Sequence, residues 1–396
     1  MARLIGTVSR GLRAPIIREG DDMKKIVVDT IIVAEKAGEF EIKDRDIVAV
    51  TETVVAKSQG NYATTAQIAE DVKRKTGGET IGVIFPILSR NRFAICLKGI
   101  AQSAQKIVLM LSYPSDEVGN HLISPETLDK TTINPYSDTL TESDFKNAFG
   151  DTKHTFTGIN YVDYYKGIIE SEGAEAEVIF ANDPKKILDY TDAVLTCDIH
   201  TRKRTKRLLK DAGAKIVLGL DDILTESVSG SGYNEEFGIL GSNKSTEDRI
   251  KLFPKNCNQF VREIRDEIKK KTGKSVEVMV YGDGAFKDPV GKIWELADPV
   301  VSPGYTEGLE GTPNEVKLKY IADNEFGQLK GEELKAAVSD YIKNKDKNLG
   351  DDMAAQGTTP RKLTDLIGSL CDLTSGSGDK GTPIVYIQGY FDNYTE

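Results

Sequence analysis

Cysteines, histidines and long apolar runs are scarce in this sequence, and each scarcity argues against a class of protein. The four cysteines, at positions 96, 197, 257 and 371, lack C-x-x-C spacing, which favours reduced, buried thiols over a disulfide frame or a zinc site. The three histidines show no helical pairing, which argues against a histidine-based metal centre. The longest apolar stretches, such as residues 81–88, are far shorter than the roughly 20 residues that a bilayer span needs. No membrane anchor is therefore expected.

Charge and length limit the binding partners and the number of domains that the chain can have. The chain has 52 basic and 62 acidic residues, and the resulting net charge of -10 argues against broad binding to nucleic acid or anionic membrane. The amino terminus lacks an apolar core followed by a small-residue cleavage site, so we expect a cytoplasmic protein. A length of 396 residues exceeds what one hydrophobic core usually supports, which predicts two domains or one domain with a large insertion.

Hydrophobic periodicity gives a coarse order of elements. Residues 46–55, 92–97 and 106–111 read as strands, and residues 63–76 read as a helix that ends at Gly77. The run 24–33 fits either a strand or part of an amphipathic helix over 23–37. Residues 115–157 are rich in Asp, Thr, Ser, Asn and Pro, which indicates a long connection.

The pattern after this connection differs from the pattern before it. Short apolar runs alternate with helix-like stretches, which predicts a parallel βαβαβ unit with strands at 176–181, 193–197 and 214–218 and helices at 184–190 and 201–212. The remaining chain predicts helices at 258–270, 332–342 and 362–372 and strands at 276–281 and 383–387. Basic residues crowd positions 202–210, which favours a solvated helix face over a site for a phosphorylated substrate.

Three polar segments are candidates for chemistry. Residues 282–289 interleave Asp283 and Asp288 with glycines, which fits either an Mg²⁺ or Mn²⁺ site at nucleotide phosphates or a solvated turn. Residues 375–381 lie between a helix and a strand, where they would form either an anion-binding loop or a flexible turn. In the third segment, residues 51–60, Lys57 and several hydroxyls lie just beyond a predicted strand.

Read in order, these segments resemble the coenzyme F-420 gamma-glutamyl ligase family, which adds L-glutamate to a deazaflavin cofactor with GTP and a divalent metal. The likeness rests on six stretches of the sequence: residues 11–22, 50–60, 95–100, 252–254, 278–283 and 376–385. The resemblance implies an α+β fold of gamma-glutamyl ligase-like mixed sheet domains with an inserted α/β lobe. On this reading residues 1–118 and 250–396 form the ligase-like part, residues 119–249 form the insertion, and the protein is a homodimer.

The resemblance also implies a site. Lys57 and Asp283 would be catalytic, Asp283 and Asp288 would hold Mg or Mn, and the partners would be a small-molecule carboxylate acceptor and an amino acid. GTP or ATP would be bound by Gly11, Leu12, Glu52, Thr53, Lys57, Gly376, Ser377, Gly378, Asp379, Lys380 and Gly381.

The sequence departs from the family pattern at several of its site positions. Ala101 stands where the family has a metal-binding aspartate, and Ala104, Gly284 and Ser377 replace other contact residues. Asp221, Asp222 and Glu226 in the insertion are candidate replacements. Two functions therefore stay open: an amide ligase that works through an acyl phosphate, on a deazaflavin or a folate-like pterin, or a catalytically impaired nucleotide- or metabolite-binding protein on the same scaffold.

Overall fold

A computed structural model of the chain describes residues 4–155, 157–282, 302–346, 349, 353–355, 361–375 and 378–395. The strands are β1 (Val8–Leu12), β2 (Ile47–Thr51), β3 (Tyr62–Thr64), β4 (Thr80–Ile84), β5 (Lys106–Leu111), β6 (Leu140–Thr141), β7 (Glu175–Phe180), β8 (Ala193–Thr196), β9 (Ile216–Gly219), β10 (Asn243–Lys244), β11 (Arg249–Lys251), β12 (Glu277–Tyr281), β13 (Gly304–Tyr305) and β14 (Ile384–Gln388). The α-helices are α1 (Met23–Lys36), α2 (Glu52–Ser58), α3 (Thr65–Thr76), α4 (Phe93–Ala101), α5 (Pro125–Leu128), α6 (Glu142–Phe149), α7 (Tyr161–Ser171), α8 (Arg202–Asp211), α9 (Cys257–Thr272), α10 (Leu318–Tyr320), α11 (Gly331–Asn344) and α12 (Leu363–Thr374). Short 3₁₀ segments span Pro184–Asp189, Leu220–Asp222, Glu307–Leu309 and Met353–Ala355, and a π turn spans Ile321–Glu325. The α+β class is confirmed.

The first sheet combines strands from both ends of the chain. Its order is β1-β14-β2-β12-β13, with β2 parallel to β12 and the other pairs antiparallel. Every residue of β2 is buried, and Val48 and Val50 pack with α1 and α9 while Ile47 and Ala49 pack with α12 on the opposite face. This alternation is what a central strand covered on both faces requires.

Residues 24–33, for which the sequence fits either a strand or a helix, are helical. Within α1, Met23, Val27, Val28 and Ile31 are buried, which is the spacing of one helix face. The Asp22 side chain caps the helix by accepting a hydrogen bond from the Lys25 backbone amide.

The second sheet is mostly parallel and has six strands in the order β6-β7-β5-β4-β8-β9. Only β6 runs antiparallel to its neighbour. The three predicted βαβαβ strands are confirmed as β7, β8 and β9, but β4 and β5 lie between β7 and β8. The proposed boundary at residue 118 thus separates strands of one sheet, and the division into 1–118, 119–249 and 250–396 stays a prediction. A third, small sheet joins β10, β11 and β3.

Two sequence predictions of strands need correction. Residues 92–97 are not a strand, because they belong largely to α4, in which nearly every side chain is buried. A helix buried all round has no polar face, so a short apolar run does not distinguish it from a strand. The predicted strand over 46–55 ends at Thr51, where α2 begins. The predicted connection over 115–157 contains α5, β6 and α6.

The helix predicted over 63–76 is confirmed as α3. Thr64 and Gln67 form a capping box at its start, and Gly77 ends it in the left-handed conformation with φ +87°. Among the described residues, no helix combines the length and the apolar character needed to cross a membrane.

The close approach of Ile187 to Gly82, in the middle of β4, provides a test of how the second sheet packs. A Cβ atom at Gly82 would lie 2.5 Å from Ile187 Cγ1, so we expect Gly82→Ala to destabilise the protein by about 1–3 kcal/mol through overpacking. The matched control is Gly167→Ala at an exposed position of α7, where a Cβ meets nothing within 4 Å and where alanine should stabilise by about 0.5–1 kcal/mol. Urea unfolding of both variants measures the difference, and equal stabilities would contradict this packing.

Candidate functional site

Strand register brings four separate parts of the chain to one end of the first sheet. Tyr281, the last residue of β12, pairs with Thr51, the last residue of β2. Ile384, which starts β14, pairs with both Val50 and Leu12, so β14 begins where β1 and β2 end. We call this end of the sheet, marked by Leu12, Thr51, Tyr281 and Ile384, the carboxyl edge.

Several predicted site residues lie at or near the carboxyl edge, and others are not described. Gly11 and Leu12 end β1, Glu52 and Thr53 begin α2, and Gly378–Gly381 precede β14. Asp283 follows Tyr281 by two positions in the chain. Asp283, Asp288, Gly376 and Ser377 lie outside the described residues, so their predicted roles stay predictions.

The segment before β14 is fixed against β1 and β2. The Ala14 amide donates to the Gly381 carbonyl at 3.1 Å, and the Thr51 amide donates to the Pro383 carbonyl at 3.0 Å. A Cβ atom on Gly11 would lie 3.1 Å from Thr382 Cβ, so a glycine at position 11 permits this close approach. Gly378, Asp379, Lys380 and Gly381 are exposed, and Gly381 has a positive φ of 65°. The predicted anion loop is therefore held next to the end of β2 with its surface open to solvent.

At the start of α2, Glu52 forms a buried ion pair that the sequence did not predict. Lys251 Nζ of β11 donates to both Glu52 carboxylate oxygens, at 2.6 and 2.7 Å, and their side chains are only 7% and 5% exposed. The Thr53 hydroxyl lies 2.7 Å from Glu52 Oε1 and 3.0 Å from Lys251 Nζ. Because 199 residues separate the partners, no local pattern indicates Lys251. The contact neutralises the Glu52 charge and anchors the first turn of α2.

Lys57 occupies the last turn of the same helix and is half-buried. Among the residues that the structure describes, no carboxylate forms an ion pair with its ammonium group. The acidic stretch after β1 packs beside the end of α2: the Gly20 amide donates to the Ser58 carbonyl at 2.9 Å, and a Cβ on Gly60 would lie 2.5 Å from Glu19 Oε1. A lysine with this environment is suited to neutralising an anion.

Candidate replacements for the family's metal ligands already have basic partners. Asp221 contacts Arg202 and Lys206, Asp222 contacts Lys206, and Glu226 contacts Arg74. Within the described ranges, no group of three or more His, Cys, Asp or Glu side chains is placed to hold a metal ion. Ala101 is buried in the core beside the second sheet, so an aspartate there would be a carboxylate in apolar surroundings.

The four thiols and the Tyr281 phenol do not offer a nucleophile at neutral pH. All four cysteines are free and buried, as the sequence predicted, and burial raises the pKa of Cys96 to about 11 and that of Cys257 to about 12. Burial likewise raises the pKa of Tyr281 at the carboxyl edge. These groups therefore stay protonated at neutral pH.

Comparison with protein families gives one match of nearly full length. The model described as F420-0:Gamma-glutamyl ligase matches residues 11–389. This range includes β2, β12, β14 and the last two residues of β1, and it also spans residues 119–249. A search of the curated proteins gave no match.

Proposed function

Because the chain belongs to the F420-0:gamma-glutamyl ligase family, we propose that it is a nucleotide- and metal-dependent amide ligase that joins L-glutamate to a carboxylate of a cofactor-like acceptor. The family supports the coarser statement, a gamma-glutamyl ligase of F420 biosynthesis. GTP or ATP, Mg or Mn, an acyl phosphate intermediate and a homodimer are the finer parts of the proposal.

The observation that supports the proposal is the convergence at the carboxyl edge. Lys57, which has no ion-pair partner in the described part of the chain, and the exposed glycine loop at 378–381 belong to segments that the sheet register brings together. A lysine and a glycine-rich loop are components that recur at nucleotide phosphate sites. The loop residues leave room there, since no Cβ obstructs the approach at Gly378 or Gly381.

The proposed reaction has two steps. An oxygen of the acceptor carboxylate attacks the γ-phosphorus, the bond to the nucleoside diphosphate breaks, and an acyl phosphate forms. The amino nitrogen of glutamate then attacks the acyl carbon, loses a proton and displaces inorganic phosphate. Both steps need alignment and charge neutralisation more than a protein nucleophile.

Within this reaction the charged residues and the glycine loop have defined tasks. Lys57 would neutralise phosphate charge, and Gly378–Gly381 would bind phosphate oxygens together with Gly376 and Ser377. Asp283 and Asp288 would hold the divalent ion, which supplies Lewis-acid charge neutralisation when bound. Glu52 would act indirectly, because its carboxylate is engaged by Lys251 and keeps α2 in place.

Release of inorganic phosphate tests the proposal directly. We expect release from GTP or ATP with Mg²⁺ or Mn²⁺ only when both a carboxylate acceptor and glutamate are present, and mass spectrometry should show a product heavier by one glutamate residue. A deazaflavin and a folate-like pterin serve as parallel acceptors. Tight nucleotide binding by calorimetry without turnover on any acceptor would instead favour the impaired binding protein, and phosphate release that needs no amino acid would exclude a ligase.

A further inference from the structure

The second sheet has a topological feature that the proposed ligase reaction does not use. Its parallel strands lie in the order β7-β5-β4-β8-β9, so the chain builds outward from β4 in one direction and then returns to the other side of β4 with β8. In such doubly wound sheets, ligands bind outside the carboxyl ends of the strands at the point where the order reverses. Here that point lies between Ile84 and Thr196, which are paired at the ends of β4 and β8.

A carboxylate of the protein itself occupies an anion-binding arrangement at this point. Glu117, from the loop after β5, accepts hydrogen bonds from the backbone amides of Ile199, His200 (3.1 Å) and Thr201 (3.2 Å). The Thr201 hydroxyl lies 3.1 Å from the same carboxylate. We call these three amides the α8 nest, since they immediately precede α8. Successive amides that converge on one group form a preferred site for anions.

The charges around the nest favour an additional anion. The first turn of α8 contains Arg202, Lys203 and Arg204 and no acidic residue, although positive side chains are disfavoured at a helix amino terminus. Arg202 is paired with Asp221, whereas Lys203 and Arg204 are exposed. His200 and Thr201 are exposed as well, and Glu117 is half-buried, so a solute can reach the nest from solvent.

Two buried polar atoms beside the nest provide an independent sign of a ligand. Asp198 and Thr196 are 1% and 0% exposed, and Asp198 Oδ1 and Thr196 Oγ1 have no hydrogen-bond partner within the described residues. The other oxygen, Asp198 Oδ2, accepts from the hydroxyls of Thr201 (2.7 Å) and Thr205 (2.6 Å), which places the carboxylate beneath the first turn of α8. Burial raises the pKa of Asp198, and the neighbouring Glu117 charge adds to the effect. Buried polar atoms without partners are rare because they are costly, and a polar group of a bound ligand would provide the missing hydrogen bonds.

We propose that the α8 nest is a binding site for a small phosphate-bearing molecule and that Glu117 is an internal anion which this ligand displaces. The incoming phosphate would take over the amides of Ile199, His200 and Thr201, with Lys203 and Arg204 neutralising its charge. A polar group next to the phosphate would complete the hydrogen bonding of Asp198. Release of Glu117 would free the loop after β5 from the start of α8, so ligand binding would be coupled to the position of that loop. This site lies on the second sheet, whereas the carboxyl edge belongs to the first.

Titration with inorganic phosphate tests the displacement. Glu117→Gln removes the competing charge and keeps nearly the same shape, so we expect its dissociation constant for phosphate, measured by calorimetry, to be at least about tenfold lower than that of the wild type. Adenosine monophosphate in a parallel titration tells a phosphate ester from free phosphate. Glu142→Gln, which removes a carboxylate of α6 that is paired with Lys166 of α7, is the matched control and should leave phosphate affinity unchanged.

A second variant keeps the test decisive if Glu117→Gln does not fold. Lys203→Glu combined with Arg204→Glu changes only exposed side chains, and it should weaken phosphate or adenosine monophosphate binding to the wild-type nest at least about tenfold. Equal phosphate affinity in folded Glu117→Gln and wild type would overturn the displacement by Glu117. A phosphate affinity that is unchanged by the double charge reversal would overturn the location of the site.

Discussion

Lys251→Met is expected to lower the free energy of unfolding by about 3–5 kcal/mol, because it leaves the Glu52 carboxylate buried without a counter-charge. Both side chains are almost completely buried, and Lys251 Nζ provides hydrogen bonds to both oxygens of Glu52. The methionine fills similar volume, so the loss reports the uncompensated charge and not a cavity. Guanidinium unfolding followed by circular dichroism measures the difference.

Two further variants determine whether the ion pair causes this loss. Glu52→Gln combined with Lys251→Met removes both charges and should recover most of the lost stability, since a buried pair replaced by neutral groups is often nearly neutral. Lys244 lies in β10 of the same small sheet and forms an exposed ion pair with Glu247. Lys244→Met breaks this pair and should lower the free energy of unfolding by no more than about 1 kcal/mol. A Lys251→Met protein as stable as Lys244→Met would show that the Glu52 carboxylate is not buried as described.

Lys57→Ala should reduce ligase turnover by about 10²–10³-fold, the range typical for removing one group that stabilises developing charge. The ammonium group has no ion-pair partner among the described residues, so its removal should leave folding intact and act on the nucleotide phosphates. Steady-state phosphate release under saturating acceptor and glutamate measures the turnover, and calorimetry with GTP and ATP measures the accompanying loss of nucleotide affinity.

Two control variants test whether the effect depends on the charge at position 57 and on its place in the structure. Lys57→Arg keeps the charge and should retain more activity than Lys57→Ala, although guanidinium and ammonium groups are not geometrically equivalent. Lys36→Ala removes an exposed lysine from the last turn of α1 and should leave turnover unchanged. Unaltered turnover and nucleotide affinity in Lys57→Ala would contradict the proposed role of the carboxyl edge in phosphate binding.

Local sequence patterns predicted the helices and strands that have a clear apolar stripe, a clear apolar run or a glycine stop. The apolar stripe and the Gly77 stop predicted α3, and the apolar runs at 106–111 and 193–197 predicted β5 and β8. The resemblance indicated the ligase family, and the family match supports it. The same local reasoning failed at residues 92–97, because α4 is buried on all sides and therefore lacks the polar face that makes a helix recognisable.

Only the tertiary structure decided which segments meet. Three contacts join residues that are 82 to 372 positions apart in the chain. Ile384 pairs with Leu12 and Val50, Lys251 contacts Glu52, and Glu117 binds the α8 nest. Such contacts depend on strand order and register, which are set by the packing of whole sheets and leave no signal in a local window of sequence. The sequence by itself therefore determined the polar segments of the carboxyl edge, whereas the sheet topology determined how they meet and which residues form the α8 nest.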